Sequence, residues 1–158
     1  MLPPAEAIAA VALAKALAVA AARAPTAPAA VILGADTEVV LDGRLLGKPR
    51  DAADAARMLR DLRGREHQVI TGLAVVETGR PGATPETASV TTRVRMDGYD
   101  DALIDAYVAT GEPLDKAGGY AVQGLGSRLV AAVDGCFTNV VGLPLTTTRT
   151  LLARRGLS

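Results

Sequence analysis

The sequence predicts one α/β domain over residues 1–158, in which a mixed β-sheet is flanked by helices. Helix and strand patterns are interleaved along the chain without a strict βαβ order, and two long strand patterns are adjacent in its middle. Adjacent strands usually pair antiparallel and strands joined through a helix run parallel, so we expect both kinds of pairing. The length suits a single hydrophobic core, and no repeat, low-complexity tail or linker divides the chain.

The first elements are a helix and a buried strand. A proline pair near the N-terminus fits the first turn of a helix, where a missing N–H costs nothing, and this helix is expected to reach about Arg23. The apolar run 30–35 follows as a buried strand. The dipeptide Asp42-Gly43 is a hairpin signal between two short arms.

The middle of the chain contains the clearest helix and two long strands. Asp51 can cap a helix that runs to Arg63, because apolar residues recur at helical spacing on one face and Gly64 ends it. Residues 68–77 and 89–96 are rich in β-branched residues and show strand patterns. We therefore expect these two segments to pair with each other.

The last third of the chain is expected to contain two helices and two short strands. The helices cover about 100–110 and 144–154. The strand candidates cover 120–123 and 128–133, separated by the glycine turn 124–126.

Composition excludes several classes of function. The chain has 17 basic and 17 acidic side chains, and its aromatic residues are three tyrosines and one phenylalanine. A general nucleic-acid binder would carry a basic excess and aromatic rings that stack on bases, so nucleic acid is not expected as a partner.

The single cysteine, Cys136, cannot form an intrachain disulfide. The apolar stretch 5–22 carries Lys15 near its middle, which favours a cytoplasmic helix over a signal peptide or membrane span.

Two short segments carry residues suited to phosphate chemistry. Asp36 comes just after the predicted buried strand and precedes Thr37, a place from which a carboxylate could hold a divalent cation or take a proton from water. Lys48 stands between Gly47 and Pro49, in a stiffened loop that could present it to a phosphate. The structural alternatives are a carboxylate that caps a turn and a solvated lysine.

A third segment, 115–124, places Asp115 and Lys116 before a double glycine. Glycines let the backbone pass close to a ligand, and Gln123 offers both a donor and an acceptor, as recognition of a base edge requires. These three side chains are candidate substrate contacts, with a surface ion pair beside a glycine bend as the alternative. His67 is the only histidine, so we expect no zinc site and predict a structural role for it.

Five segments in this order carry a resemblance to a known family. They are 34–37 (Gly-Ala-Asp-Thr), 46–49 (Leu-Gly-Lys-Pro), 62–72, 115–124 and 139–144 (Asn-Val-Val-Gly-Leu-Pro). Each is weak by itself, but together they resemble the Maf family, also called septum formation inhibitor proteins. The resemblance extends from about Val11 to Leu152.

The resemblance implies a twisted mixed sheet with helices on both sides and a cleft between two lobes, similar to inosine triphosphate pyrophosphatases. It also implies hydrolysis of nucleoside triphosphates to monophosphate and diphosphate with Mg²⁺ or Mn²⁺. By similarity, Asp36 would activate the attacking water, and Lys15 and Lys48 would bind the triphosphate. Thr37 and Gln123 match positions linked to substrate choice, in a pattern like the subgroup that acts on dTTP and UTP rather than on 7-methyl-GTP.

The resemblance has one gap, which bears on activity. Family members usually begin with a strand and a Ser-x-Ser-Pro-Arg-Arg loop, and this sequence has no counterpart of either. We therefore expect a truncated Maf-like domain with reduced activity and stability, because a phosphate clamp and a core strand would be missing. The alternative function is a non-catalytic nucleotide-binding or regulatory protein that affects cell division. A homodimer is expected from the resemblance only.

Overall fold

The computed structural model describes residues 2–157 of the chain. It contains one sheet, several helices and three short 3₁₀ segments. The strands are β1 (Ala30–Leu41), β2 (Arg44–Leu45), β3 (Glu66–Thr78), β4 (Glu86–Met96) and β5 (Val130–Asp134). The α-helices are α1 (Pro4–Ala21), α2 (Ala52–Leu62), α3 (Asp101–Val108), α4 (Phe137–Val141) and α5 (Leu145–Ala153). The 3₁₀ segments are Glu112–Asp115, Ala117–Gly119 and Gly124–Leu129.

The sheet has the strand order β2-β1-β3-β4-β5. The predicted α/β fold, a sheet flanked by helices, is confirmed, as is the pairing of the two long middle strands. The expected mixture of parallel and antiparallel pairs is not found, because all four pairings within residues 2–157 are antiparallel. The connection through α2 explains this difference. It joins β2 to β3, which run in the same direction but lie on opposite sides of β1, so neither is hydrogen-bonded to the other.

The two faces of the sheet bury different kinds of core. On one face, α1 packs its small side chains against β1 and β3. The other face carries α2 to α5, and its larger cluster joins residues of the sheet to α2 and α3. Because side chains alternate along a strand, even-numbered residues of β1 face α1 and odd-numbered residues face the larger core. This alternation decides where each candidate site residue lies.

Helix α1 is apolar over most of its length, and by length and composition alone it could cross a membrane, with a mean hydropathy of 1.6. In the structure it lies along the sheet and buries Ile8, Ala12 and Ala16. Other apolar side chains of the helix, such as Val11 and Leu17, are exposed. The helix therefore contacts the sheet through a narrow stripe of mostly small residues.

Helix α2 begins and ends as its sequence predicts. The Asp51 carboxylate accepts the N–H of Asp54 at 2.8 Å, so it is the N-cap. Arg50 and Arg57 both donate to the buried Asp54 carboxylate, and these hydrogen bonds hold its pKa far below the usual range. The carboxylates of Asp51 and Asp54 thus fix the start of α2. Because Arg50 is bound to Asp54, the end of the preceding loop is held as well.

Residues 120–123, predicted as a strand, join no sheet among the described residues. They follow Gly118 and Gly119, whose φ values of 70° and 74° lie in the left-handed region and redirect the chain. The N–H of Ala121 donates to the hydroxyl of Tyr107 at 3.2 Å instead of to a neighbouring strand. The strand prediction is therefore wrong here, because a side chain takes the place of the ladder partner.

Candidate functional site

Asp36 and Lys15 form an ion pair on the α1 face of the sheet. Lys15 Nζ lies 2.5 Å from Asp36 Oδ1 and 3.4 Å from the carbonyl oxygen of Ala35. The Asp36 side chain is 15% exposed and that of Lys15 is 54% exposed, so the pair remains open to solvent and to a ligand. Strand β1 continues to Leu41, so Asp36 lies inside the strand and not just past its end, as the sequence had indicated.

Close packing between α1 and β1 brings Lys15 to this carboxylate. A Cβ atom on Gly34 would lie 2.2 Å from the carbonyl oxygen of Ala12 and 3.0 Å from the Cβ of Ala16. Only glycine leaves room for the helix at this distance from the strand. The glycine and the alanines therefore set the height of α1 above the sheet, and with it the reach of Lys15.

Glu38 is a third charged residue on the same face, and it was not among the site residues predicted from the sequence. Burial raises the pKa of its carboxyl, and the negative charge of Asp36 raises it further, while the Gly47 backbone and two lysines oppose the shift. Its Oε2 atom is buried and has no hydrogen-bond partner within residues 2–157. The signal was present in the sequence, because residues two apart in a strand share a face.

A cavity of about 270 Å³ opens on the opposite face of the sheet. Strands β1 and β3 contribute Thr37, Val39 and Val69 to its wall. The remaining wall is built from the loop before α2, from α4 and its C-terminal glycine, and from the segment that follows α3. Those lining residues are Lys48, Asp115, Lys116, Ala117, Tyr120, Ala121, Val122, Gln123, Val140, Val141 and Gly142.

The structure thus divides the predicted site residues into two groups. Five of them line the cavity: Thr37, Lys48, Asp115, Lys116 and Gln123. The other two, Lys15 and Asp36, lie on the α1 face and are absent from the cavity wall. Adjacent residues of one strand therefore belong to different groups, as alternation requires.

Lys48 lies between the two groups. It lines the cavity, and its positive charge makes a small contribution that opposes the raised pKa of Glu38 on the other face and helps to lower the pKa of Asp115 in the cavity wall. For Asp115 the larger cause of the lowered pKa is the hydrogen bond from Lys116, at 2.8 Å. The loop that carries Lys48 is tied to the cavity wall, because the N–H of Gly118 donates to the carbonyl of Gly47 at 2.8 Å.

Thr37 is held by polar contacts that cross three strands. Its hydroxyl lies 2.8 Å from that of Thr71 and 3.3 Å from the carbonyl oxygen of Gly142. The Thr71 hydroxyl donates to the carbonyl of Asn139 at 3.2 Å, and the Asn139 amide donates to β3 and to Thr92 of β4. Helix α4, which was not predicted from the sequence, is thereby fixed against the sheet beside Thr37.

His67 is buried in the larger core, where its Nε2 lies 2.7 Å from the hydroxyl of Tyr120. The predicted structural role agrees with this position. Burial lowers the pKa of the imidazole from 6.5 to about 4, so the ring is neutral at neutral pH. In the unfolded chain the histidine keeps a pKa near 6.5. Between pH 4 and pH 6.5 it is therefore protonated in the unfolded chain and neutral in the folded chain.

The unfolding free energy is therefore expected to fall as the pH drops from 6.5 towards 4, by up to about 3 kcal/mol from this residue. Urea unfolding of the natural chain and of a His67→Gln variant between pH 7.5 and 4 measures this effect. The contributions of other titrating groups cancel when the unfolding free energies of the two proteins are subtracted at each pH. The stability advantage of the natural chain should shrink as the pH falls. An advantage that stays constant over this range would show that the imidazole has an ordinary pKa.

Comparison with known proteins identifies the family to which the chain is similar. The family described as Maf-like protein matches residues 2–155. A dTTP/UTP pyrophosphatase of Dictyoglomus turgidum is 51% identical over 129 residues, which are 82% of this chain and 66% of that protein. Proteins of the same name from Anaeromyxobacter dehalogenans and Moorella thermoacetica are each 52% identical. Their alignments cover 85% and 99% of this chain, and 69% and 77% of the respective relatives.

The chain thus spans from just under two thirds to about three quarters of the length of these relatives. The family match extends over nearly every residue of the chain, including both groups of site residues. The identities are high over the parts that align. This chain therefore belongs to the family of Maf-like proteins.

Proposed function

We propose that the chain is a nucleoside triphosphate pyrophosphatase that converts dTTP and UTP to the monophosphate and diphosphate. One structural observation supports this most directly: Asp36, paired with Lys15, and Thr37, which opens into the cavity, are neighbours in β1 and face opposite sides. A nucleotide bound here would have its base and its phosphates in different environments. The relatives named dTTP/UTP pyrophosphatase support the choice of substrate.

The cavity suits the base end of such a substrate. Its volume of about 270 Å³ is close to the lower end of the usual range for ligand pockets, so it is small for a complete triphosphate. Val39 and Val69 offer apolar surface, and the amide of Gln123 can both donate to and accept from a pyrimidine edge. We infer that the base enters the cavity and that the phosphates lie outside it.

The phosphates would extend past Lys48 towards Lys15. Within residues 2–157, β2 pairs only with the end of β1, so the outer edge of β1 beside Asp36 has no strand partner. A ligand that contacted both groups of site residues would have to pass this edge of β1. The two lysines would then neutralise the negative charge that develops on the departing diphosphate.

The carboxylates on the α1 face fit a divalent cation such as Mg²⁺ or Mn²⁺. Both ions prefer oxygen ligands, and Mg²⁺ in nucleotide enzymes is commonly held by one or two carboxylates together with substrate phosphates. Asp36 would be the main protein ligand, and the unpaired Oε2 of Glu38 offers a second oxygen nearby. No group of three or more metal-binding side chains exists among residues 2–157, which fits a cation that arrives with its substrate. A bound cation would polarise the phosphoryl oxygens.

Asp36 has the chemistry needed for the hydrolytic step. Water attacks the α-phosphorus, the bond to the diphosphate breaks, and Asp36 takes the proton that the water loses. In the free protein Lys15 donates to this carboxylate. Negative phosphates would draw the lysine away, which would leave the carboxylate oxygen free to accept the proton.

The remaining parts of the proposal concern the setting of this activity. We place it in the cytoplasm, where nucleoside triphosphates are made and used. The partner is the nucleotide, with no role for nucleic acid or a membrane, and the chain is treated as one Maf-like domain. Homodimerisation is retained as an expectation from the family.

A panel of nucleotides tests the function. The chain is incubated with dTTP, UTP, CTP and 7-methyl-GTP in Mg²⁺ or Mn²⁺, and diphosphate release is measured. Release is expected to be fastest with dTTP and UTP and to stop when a chelator removes the cation. Nucleotide binding without any release would favour the regulatory alternative, and a preference for 7-methyl-GTP would contradict the proposed substrate.

A further inference from the structure

The longest part of the cavity wall has no strand to hold it. Residues 115–123 supply both lysine and glutamine contacts to the cavity, yet they form only short 3₁₀ turns and extended stretches outside the sheet. An extended segment without ladder hydrogen bonds samples several conformations unless other groups satisfy its backbone. The position of Gln123 therefore depends on contacts from elsewhere in the fold.

Three buried or half-buried side chains provide those contacts, and we call them the polar bracket: His67, Tyr107 and Glu112. His67 Nε2 lies 2.7 Å from the hydroxyl of Tyr120. The Tyr107 hydroxyl accepts the N–H of Ala121 at 3.2 Å and donates to Glu112 Oε1 at 2.9 Å.

The third contact of the bracket lies beyond Gln123. The same Oε1 atom of Glu112 accepts the N–H of Gly126 at 3.2 Å. The bracket thus holds the wall at Tyr120, Ala121 and Gly126, on both sides of Gln123. Its members come from β3, from α3 and from the 3₁₀ segment that follows α3.

We propose that the polar bracket positions Tyr120 and Gln123 for recognition of the nucleotide base. This inference rests on the proposed function. It makes recognition of the base depend also on the three bracket residues, which do not themselves line the cavity. The members of the bracket are positioning residues, since they act on the substrate through the wall segment. They add a determinant of substrate affinity that lies behind the cavity.

The state of His67 supports this role. Within residues 2–157, its Nδ1 atom is buried without a partner, so the contact with Tyr120 is the one hydrogen bond of the ring. Burial of a polar ring is costly unless a hydrogen bond compensates for it. An apolar residue would fill this part of the core more easily, so the imidazole is explained by what it does for Tyr120.

A pair of tyrosine variants tests the bracket. Tyr107 and Tyr99 are both buried in the larger core, and the Tyr99 hydroxyl donates to the carbonyl of Leu59 at 2.7 Å, away from the cavity. Tyr107→Phe and Tyr99→Phe each remove one buried hydroxyl, and both should lower the melting temperature. Only Tyr107→Phe should raise the KM for dTTP, by about 3- to 10-fold for the lost hydrogen bond to the wall segment at Ala121, with kcat nearly unchanged. Amide hydrogen exchange at Ala121 and Gly126 should also speed up in that variant alone.

A second pair keeps the test decisive if Tyr107→Phe folds poorly. Glu112→Gln retains an oxygen that can accept from Gly126, whereas Glu112→Leu does not. The glutamine variant should keep the KM close to that of the natural chain, and the leucine variant should raise it. An unchanged KM in both Tyr107→Phe and Glu112→Leu, with dTTP hydrolysis by the natural chain intact, would overturn the bracket alone. Absence of nucleotide hydrolysis by the natural chain would overturn the proposed function and this inference together.

Discussion

Asp36→Asn is expected to lower kcat/KM for dTTP by about 10²- to 10⁴-fold, the usual contribution of a positioned proton acceptor. The substitution keeps the shape of the side chain and removes its charge, so it can neither take the proton from water nor attract a cation. The Lys15 side chain is 54% exposed and can turn to solvent when the charge of Asp36 is removed, so the loss of this pair should cost little stability. The fold should therefore survive the substitution, and the loss should be in the chemistry.

The measurement is the initial rate of diphosphate release from dTTP over a range of substrate concentrations. Asp134→Asn is the control, because Asp134 also forms an ion pair, with Arg93, but lies on β5, which β3 and β4 separate from β1. The control should keep its rate, and both variants should melt close to the natural chain. An Asp36→Asn protein that hydrolyses dTTP within about threefold of the natural rate would remove this residue from the mechanism.

Gly34→Ala is expected to reduce both stability and activity. The new Cβ would lie 2.2 Å from the carbonyl oxygen of Ala12, which is a backbone atom inside a helix and cannot rotate away. Overpacking of this kind typically costs about 1–3 kcal/mol, which for a domain of this size lowers the melting temperature by roughly 2–12 °C. Helix α1 must also move away from β1, so Lys15 should lose its contact with Asp36 and kcat/KM should fall.

Thermal melting and dTTP hydrolysis by the same preparation measure the two effects. Gly98→Ala is the control, because no atom lies within 4 Å of its added Cβ and its φ is outside the left-handed region. This control should melt within about 2 °C of the natural chain, as surface substitutions usually do. If the two variants behaved alike, the close approach of α1 to the strand would not be a constraint on the site.

The elements with strong local signals were predictable from the sequence. Helix α2 has a capping aspartate, an apolar face and a terminal glycine, and its observed bounds agree with the prediction. Strand β1 was predicted too short, because its polar residues 36–38 look like the end of an apolar strand. In the structure Asp36 pairs with Lys15 and Thr37 joins a network of hydroxyl groups, so these polar side chains are accommodated within the sheet and the strand continues to Leu41. Local hydropathy could not show that.

The composition of the candidate site was easier to predict than its geometry. The sequence indicated Thr37, Lys48 and Gln123, and the structure brings all three to one cavity although the first and the last are 86 positions apart in the sequence. The five-residue helix α4 gave no periodic signal, so its part in the cavity wall was missed. The role of Tyr107 depends on a contact with a segment 14 residues away, and no local pattern reveals such a contact.

The alternation of side chains along β1 has a consequence for how such proteins can diverge. If Thr37 contacts the base as proposed, a replacement at position 37 would alter base recognition without disturbing the neighbouring carboxylate, because the two side chains lie on opposite faces of the sheet. A single-residue deletion within β1 would turn every later side chain to the wrong side at once. Relatives with new substrate preferences should therefore differ in β1 by substitutions and not by insertions or deletions. The length of this strand should vary less among them than the identity of its residues.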